Sequence, residues 1–199
     1  MNKDIRYDVY HENFWTDNGD MINCGQMHSA RGVLPVVFDY LGEVPEYVVD
    51  IGCGRGAWLY ACKELGVNYT SGVDGPWVSC ELEKIGIDEF YQHDLETGVL
   101  EPIRWHNLAI CLEVAEHVSA EGSQNLVETL CSHSRNILFS SAPKGQGCEM
   151  HLNEQSLKYW DEKFNKRGYK RVKNFKKDLE NIEKIDYWYV NNTCLYKKI

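Results

Sequence analysis

The sequence predicts an α/β fold: a mostly parallel sheet of seven strands with an antiparallel last strand and helices on both faces. Three observations predict it. From residue 47 onward, short β-rich apolar runs alternate with helix-like segments, the pattern of a parallel sheet covered on both sides. The first run, YVVDIG, breaks into the glycine loop GCGRGAW, where a strand must turn sharply into a helix. The tail YWYVNNTCLYKK alternates apolar and polar residues, which suits an antiparallel finish at one sheet edge.

Taken in order, residues 1 to 46 form an arm with the polar and aromatic stretch HENFW, then a helix over QMHSARGVLPVVFDYLG that is expected to be interrupted at Pro35. The strand candidates are 47–52, 67–74, 88–95, 107–114 and 135–143. Between them lie RGAWLYACKELG, with Gly66 as its C-cap, PWVSCELEKIG, with Pro76 at its start, and VSAEGSQNLVETLCSHS. A helix over NEQSLKYWDEKFNKRG then leads to two last strands, YKRVKNF and YWYVNNTCLYKK. Repeats and linkers are not evident, so 1–199 reads as a single domain with 47–199 as its core.

Composition narrows the function. With 43% hydrophobic residues, six Trp and twelve Tyr, the chain has ample material for a buried core. A net charge of -9 repels nucleic acid and anionic lipid on average. The basic segment KFNKRGYKRVKNFKK is offset by the DLENIEKID that follows, which favours a solvated connection over a phosphate-tracking surface. Eight cysteines are scattered without a C-x-x-C pair or zinc spacing, as expected of reduced thiols in a cytoplasmic protein. No apolar run approaches the roughly 20 residues that span a bilayer.

The loop Asp50, Ile51, Gly52, Cys53, Gly54, Arg55, Gly56 puts bare backbone where a ligand touches the chain directly. It also satisfies G-x-G-x-x-A, so a dinucleotide is the first rival. Asp50 tips the balance, because a carboxylate facing the loop suits a cationic ligand and repels a pyrophosphate. Asp74, ending the second strand, can accept both ribose hydroxyls of a nucleoside of either kind.

These residues resemble the class I S-adenosylmethionine-dependent methyltransferases. VVDIGCGRG is similar to their first motif, GVDG to their ribose-binding acid, QHDLE to the loop whose Asp94 contacts the adenine amine, and LAICLEVAEHV to their fourth motif. The resemblance covers about residues 45 to 199 and implies a Rossmann-like fold. It further implies that Gly52, Cys53, Gly54, Gly56, Gly75, His93, Asp94, Leu95, Cys111 and Leu112 surround the cofactor, with Asp50 on its ammonium side and Asp74 on its ribose. His93 and Asp94 compete for the adenine contact. Asn107 and Leu108 stand where the fourth motif often carries an acid.

EVAEH falls where the fourth strand gives way to a helix. If Glu113 opens that helix, Glu116 and His117 project from its face at i+3 and i+4. Converging carboxylates and imidazoles are commonly held together by a divalent cation such as Mg or Mn, and the loop APKGQGCEMHLNEQ can deliver His151 as a fourth ligand. This set resembles the metal site of small-RNA 3'-terminal 2'-O-methyltransferases, and EVxEH is shared with catechol O-methyltransferases of quinone biosynthesis. Glu113, His117 and His151 are equally candidates for base duty without a metal, because a hydroxyl is a poor nucleophile until its proton is removed.

The stretch GQGCEMHLNEQSLKYW resembles a branch of small bacterial and viral methyltransferases with G-Q-G-G, H-x-N-E-Q and Y-W, and WYVNN resembles their closing strand. Cys148 replaces the second glycine of the G-Q-G-G pattern. The resemblance implies an acceptor pocket shaped by Gln146, Asn153, Gln155 and Tyr159, with Trp160 read either there or in the core. Amides beside aromatic walls suit a carbohydrate. The motif order is also similar to the methyltransferase domain of glycan-building proteins of large algal viruses, which makes a rhamnose-like deoxyhexose the expected acceptor. A catechol, an RNA 2'-hydroxyl, NAD-dependent oxidoreduction and a non-catalytic cofactor-binding module are the competing readings.

Overall fold

The computed structural model describes residues 25–78 and 87–199. The HENFW arm, Cys24, Cys80 and most of the helix expected over 76–86 lie outside these residues.

Five strands run parallel: β1 (Tyr47–Ile51), β2 (Tyr69–Asp74), β3 (Glu89–Gln92), β4 (Leu108–Cys111) and β5 (Asn136–Phe139). β6 (Tyr169–Arg171) and β7 (Cys194–Lys198) complete the sheet, β7 lying antiparallel between β5 and β6. The order is β3-β2-β1-β4-β5-β7-β6. In register, Val48 sits opposite Leu108 and Val49 opposite Ala109. The pleat then sorts the side chains: Val48, Leu108, Leu138 and Leu195 enter one core, and Val49, Ala109, Ile137 and Phe139 the other. Both faces are buried, which is why these runs read as continuously apolar.

The helices α1 (Gly25–Leu41) and α2 (Ala57–Glu64) cover the first face, joined there by Phe175 and Leu179 of α5 (Phe175–Leu179) and Tyr189 of α6 (Tyr187–Asn192). The helices α3 (Gly122–His133) and α4 (Leu157–Asn165) cover the second with Leu126, Leu130, Trp160 and Phe164. Ser156 caps α4 by accepting from the Tyr159 amide. Trp160 is a core residue, its ring 5.1 Å from that of Phe139.

Three expectations are corrected. The helix α1 is continuous through Pro35, which is exposed, so its ring faces water while Leu34, Val37 and Phe38 stay packed. YWYVNN is the helix α6, not a strand: the amides of Tyr189 and Val190 return to the Asp186 carbonyl, and Tyr189 buries against Trp58. The strand expected over 169–175 stops at Arg171, and Phe175 opens α5.

Candidate active site

The C-terminal ends of β1, β2 and β4 open onto a cavity of about 360 Å³. Gly52 lies at φ +86°, and a Cβ there would stand 2.4 Å from a methyl of Val114, so only glycine lets the loop after β1 pass under the loop after β4. Gly54 and Gly56 are also left-handed, but they turn the chain into α2, and the cavity wall is made by Gly52, Cys53 and Gly75 instead. The Asp74 carboxylate accepts from the Gly54 amide at 2.8 Å, the Gly75 amide at 2.7 Å and the Trp77 indole at 2.9 Å. Burial raises its pKa against these three donors. Asp50 is buried beside it, and burial, with the Asp74 charge second, pushes its carboxyl well above the usual range. A buried and a half-buried acid side by side on the cavity wall make a site that a cation relieves.

His93, Asp94, Leu95 and Leu112 line the cavity as well. His93 donates through Nε2 to the Gly98 carbonyl, and Asp94 accepts from the Glu96 amide as a turn cap does. Cys111, expected to line the cofactor, points into the second core and is fully buried, because strand alternation turns it away from the cavity that its neighbour Leu112 reaches.

EVAEH does not open a helix. It forms a tight turn in which Glu113 adopts φ 54°, and helix α3 begins only at Gly122. The turn still gathers the expected side chains. Glu116, His117 and His151 each place one donor atom within 4.8 Å of the others, whereas Glu113 lies outside that trio. Burial raises the carboxyls of both Glu113 and Glu116, and the charge of Glu113 adds to the rise at Glu116. Oε2 of Glu116 is buried without a hydrogen-bond partner among the described residues. His117 donates through Nδ1 to the Met150 carbonyl at 3.3 Å; burial, with His151 second, pushes the ring down to about 4. His151 faces it with ring centroids 5.0 Å apart. The loop carrying His151 is strapped to the turn by the amides of Leu152 and Asn153, which both donate to the Glu116 carbonyl.

Of the acceptor residues expected from the sequence, only Gln146 reaches the cavity. Asn153 is buried and accepts from the Gln155 amide, and Tyr159 bonds Ser123 over the second core. Their place is taken by residues that sequence reasoning missed. Trp58 of α2, Trp188 and Tyr189 of α6, and Gln26 of α1 line this end, and Trp58 meets Tyr189 edge to face at 5.1 Å. Asn192 donates to both Glu113 and Gln146, at 3.4 and 3.3 Å. The signal was WYVNN itself, hidden because a strand reading sends its alternate residues to opposite faces.

A family model described as a methyltransferase domain matches residues 28–183. The chain belongs to this family. The matched span carries the strand-end acids, the glycine loop and the Glu116–His117–His151 trio, and ends before α6, so Trp188 and Tyr189 lie outside it. No protein among the curated sequences matches the chain. Among solved structures of this methyltransferase fold, magnesium protoporphyrin IX methyltransferase from Synechocystis PCC 6803 with bound SAH superposes with a TM-score of 0.69 at 16% identity, covering 100% of both chains. Human N-acetylserotonin methyltransferase in complex with SAM gives 0.56 at 16% identity over 85% of this chain and 51% of that one. The small RNA methyltransferase HEN1 gives 0.59 at 14% identity over 83% of this chain and 24% of that one.

Proposed function

We propose that this methyltransferase domain transfers the methyl of S-adenosylmethionine to a hydroxyl of a sugar or glycan, most suitably one of a vicinal pair in a rhamnose-like deoxyhexose. The observation that carries the reading is one cavity lined both by the acids Asp50 and Asp74 and by the Glu116–His117–His151 trio. A sulfonium nucleoside suits the acids, its ammonium toward Asp50 and its ribose hydroxyls on Asp74, in place of the Trp77 indole. SAM and SAH in the superposed structures support the choice of donor.

The trio suits a divalent cation. Its donors converge within 4.8 Å, Glu116 offers an unpartnered buried oxygen, and both histidines hold Nδ1 on a neighbouring acceptor. Such an ion would supply a Lewis acid that grips two adjacent oxygens and lowers the acceptor hydroxyl's pKa. His117, neutral well below pH 7, is suited to ligation more than to proton uptake, so without an ion base duty falls to His151, whose Nε2 lone pair serves either as ligand or as base. Glu113 and Gln146, tied together by Asn192, hold a second hydroxyl, and Trp188 and Tyr189 receive the C–H face of a sugar ring. The sulfonium needs no acid to leave, so placement and deprotonation carry the catalysis.

Incubation with methyl-labelled S-adenosylmethionine and a panel of free sugars, catechols and short RNAs, with and without chelator, tests this. Label in a vicinal sugar diol, lost on chelation, is expected. Label only in RNA or catechol overturns the acceptor, undiminished label with chelator overturns the metal, and a thermal-shift response to NAD alone overturns the donor.

A further inference from the structure

The carboxylate of Glu154 collects three donors from one loop. Oε2 accepts from the Gly145 amide at 2.8 Å, and Oε1 accepts from the Gly147 amide at 2.7 Å and from His151 Nδ1 at 2.7 Å. Gly145 and Gly147 both lie in the left-handed region, at φ +88° and +77°, with nothing near where a Cβ would stand. Their conformation turns two amides toward a single anion. The side chains of Glu154 and His151 are 17% and 10% exposed, so the pair is largely shielded from water.

We propose that Glu154 is the positioning residue of the site: it fixes the ring tautomer and orientation of His151 and, through the same carboxylate, holds the 145–147 segment that presents Gln146 to the cavity. An ionised carboxylate can only accept, so Nδ1 carries the hydrogen and Nε2 of the neutral ring carries the lone pair. An unsupported imidazole is free to place its hydrogen on either nitrogen and to rotate about its side-chain bonds. Glu154 removes both freedoms, which is what a ligand or base needs from its neighbour. Gln146 gains as well, because the glycines on either side of it are anchored while its own side chain meets Asn192.

The inference deepens the proposed function and rests on His151 acting in that site, so the test separates the two. The full chain is labelled with ¹⁵N in histidine, and the His151 ring tautomer is read by NMR at mildly alkaline pH in wild type, Glu154→Ala, Glu154→Gln and His151→Ala. SAH affinity serves as the measure of an intact fold. Expected are an Nδ1–H ring in the wild type, a shift toward Nε2–H in Glu154→Ala, and retention of Nδ1–H in Glu154→Gln, whose amide oxygen can still accept. With SAH binding kept, methyl transfer or Mn²⁺ affinity falls by about 10- to 100-fold in Glu154→Ala, and Glu154→Gln recovers part of it. An unchanged tautomer with transfer within about twofold of wild type in Glu154→Ala, taken against that expected loss, overturns the inference. Transfer and Mn²⁺ binding that survive His151→Ala, with the tautomer still shifted by Glu154→Ala, overturn the role of His151 and leave the positioning by Glu154 standing. Loss of SAH binding in Glu154→Ala and Glu154→Gln alike makes the residue a structural staple and overturns the proposal.

Discussion

Glu113 and Gly52 hold each other's loops in place. Glu113 occupies a left-handed conformation that costs a residue with a Cβ about 1–2 kcal/mol, and the next residue, Val114, fills the space where a side chain on Gly52 would be. Strain of this kind persists where surrounding structure over-determines it, and here it aims the Glu113 carboxylate at Asn192 and Glu116. Gly52→Ala should therefore do two things at once. It should lower stability by about 1–2 kcal/mol through its positive φ alone, and displacing Val114 should weaken SAH binding by more than about tenfold, since a clash at 2.4 Å must move backbone on both sides. Calorimetric titration with SAH beside a thermal melt checks both; full affinity in a normally melting variant contradicts the role given to the loop. The acids and glycines were legible because each residue type has one main reason to stand at a strand end. Glu154, Asn192 and Trp188 were not, because their parts depend on what lies across the cavity.

At the scale of elements, the parallel strands and the helices over both faces followed from periodicity, which reports burial directly. The errors cluster where burial is one-sided or short. Pro35 signalled a break, yet on an exposed face the loss of one hydrogen bond is outweighed by the packing of the opposite side. EVAEH has helical spacing but sits in a turn, so the trio converges through loop closure onto Glu116 and not through i+3 and i+4 geometry. The helix α6 is six residues long, too short for periodicity to declare it. In the proposed acceptor site that helix supplies the aromatic wall. Tyr189 is buried against Trp58, whereas Trp188 is half-buried and lines the cavity. Trp188→Ala should raise the acceptor KM about tenfold, equivalent to about 1.4 kcal/mol, with SAH affinity and melting temperature little changed. Steady-state kinetics with the labelled acceptor decides it; an unchanged KM removes α6 from the acceptor wall.

Across the whole molecule, function and one source of pH sensitivity sit at opposite ends of the sheet. His106 lies just before β4, on the far side from the cavity, buried with its Nε2 against Ser71 and Nδ1 without a partner among the described residues. Burial, then the charges of His133 and Arg104, push it down to about 4. A histidine whose folded pKa is depressed makes the unfolded chain the better proton binder between about 6.5 and that value. The contribution of His106 is therefore full above about pH 6.5 and is lost as the pH falls toward 4, against the buried carboxyls of Asp50 and Glu116, whose raised folded values add stability as the pH falls. The urea midpoint of the wild type relative to that of His106→Asn should fall as the pH is lowered through this window; a difference that moves the other way reverses the sign argued here.

The placing of β7 between β5 and β6 has a consequence for how the molecule assembles. β6 precedes β7 along the chain yet has no other strand to pair with among the described residues, so its backbone pairing must wait until the later segment has docked, even though Tyr169 already packs on α4. The acceptor wall of α6 leads straight into that docking strand. Sealing this edge of the sheet and completing the cavity wall are thus one event: a chain caught before it would already hold its glycine loop and strand-end acids, and would still lack the walls supplied by Trp188 and Tyr189.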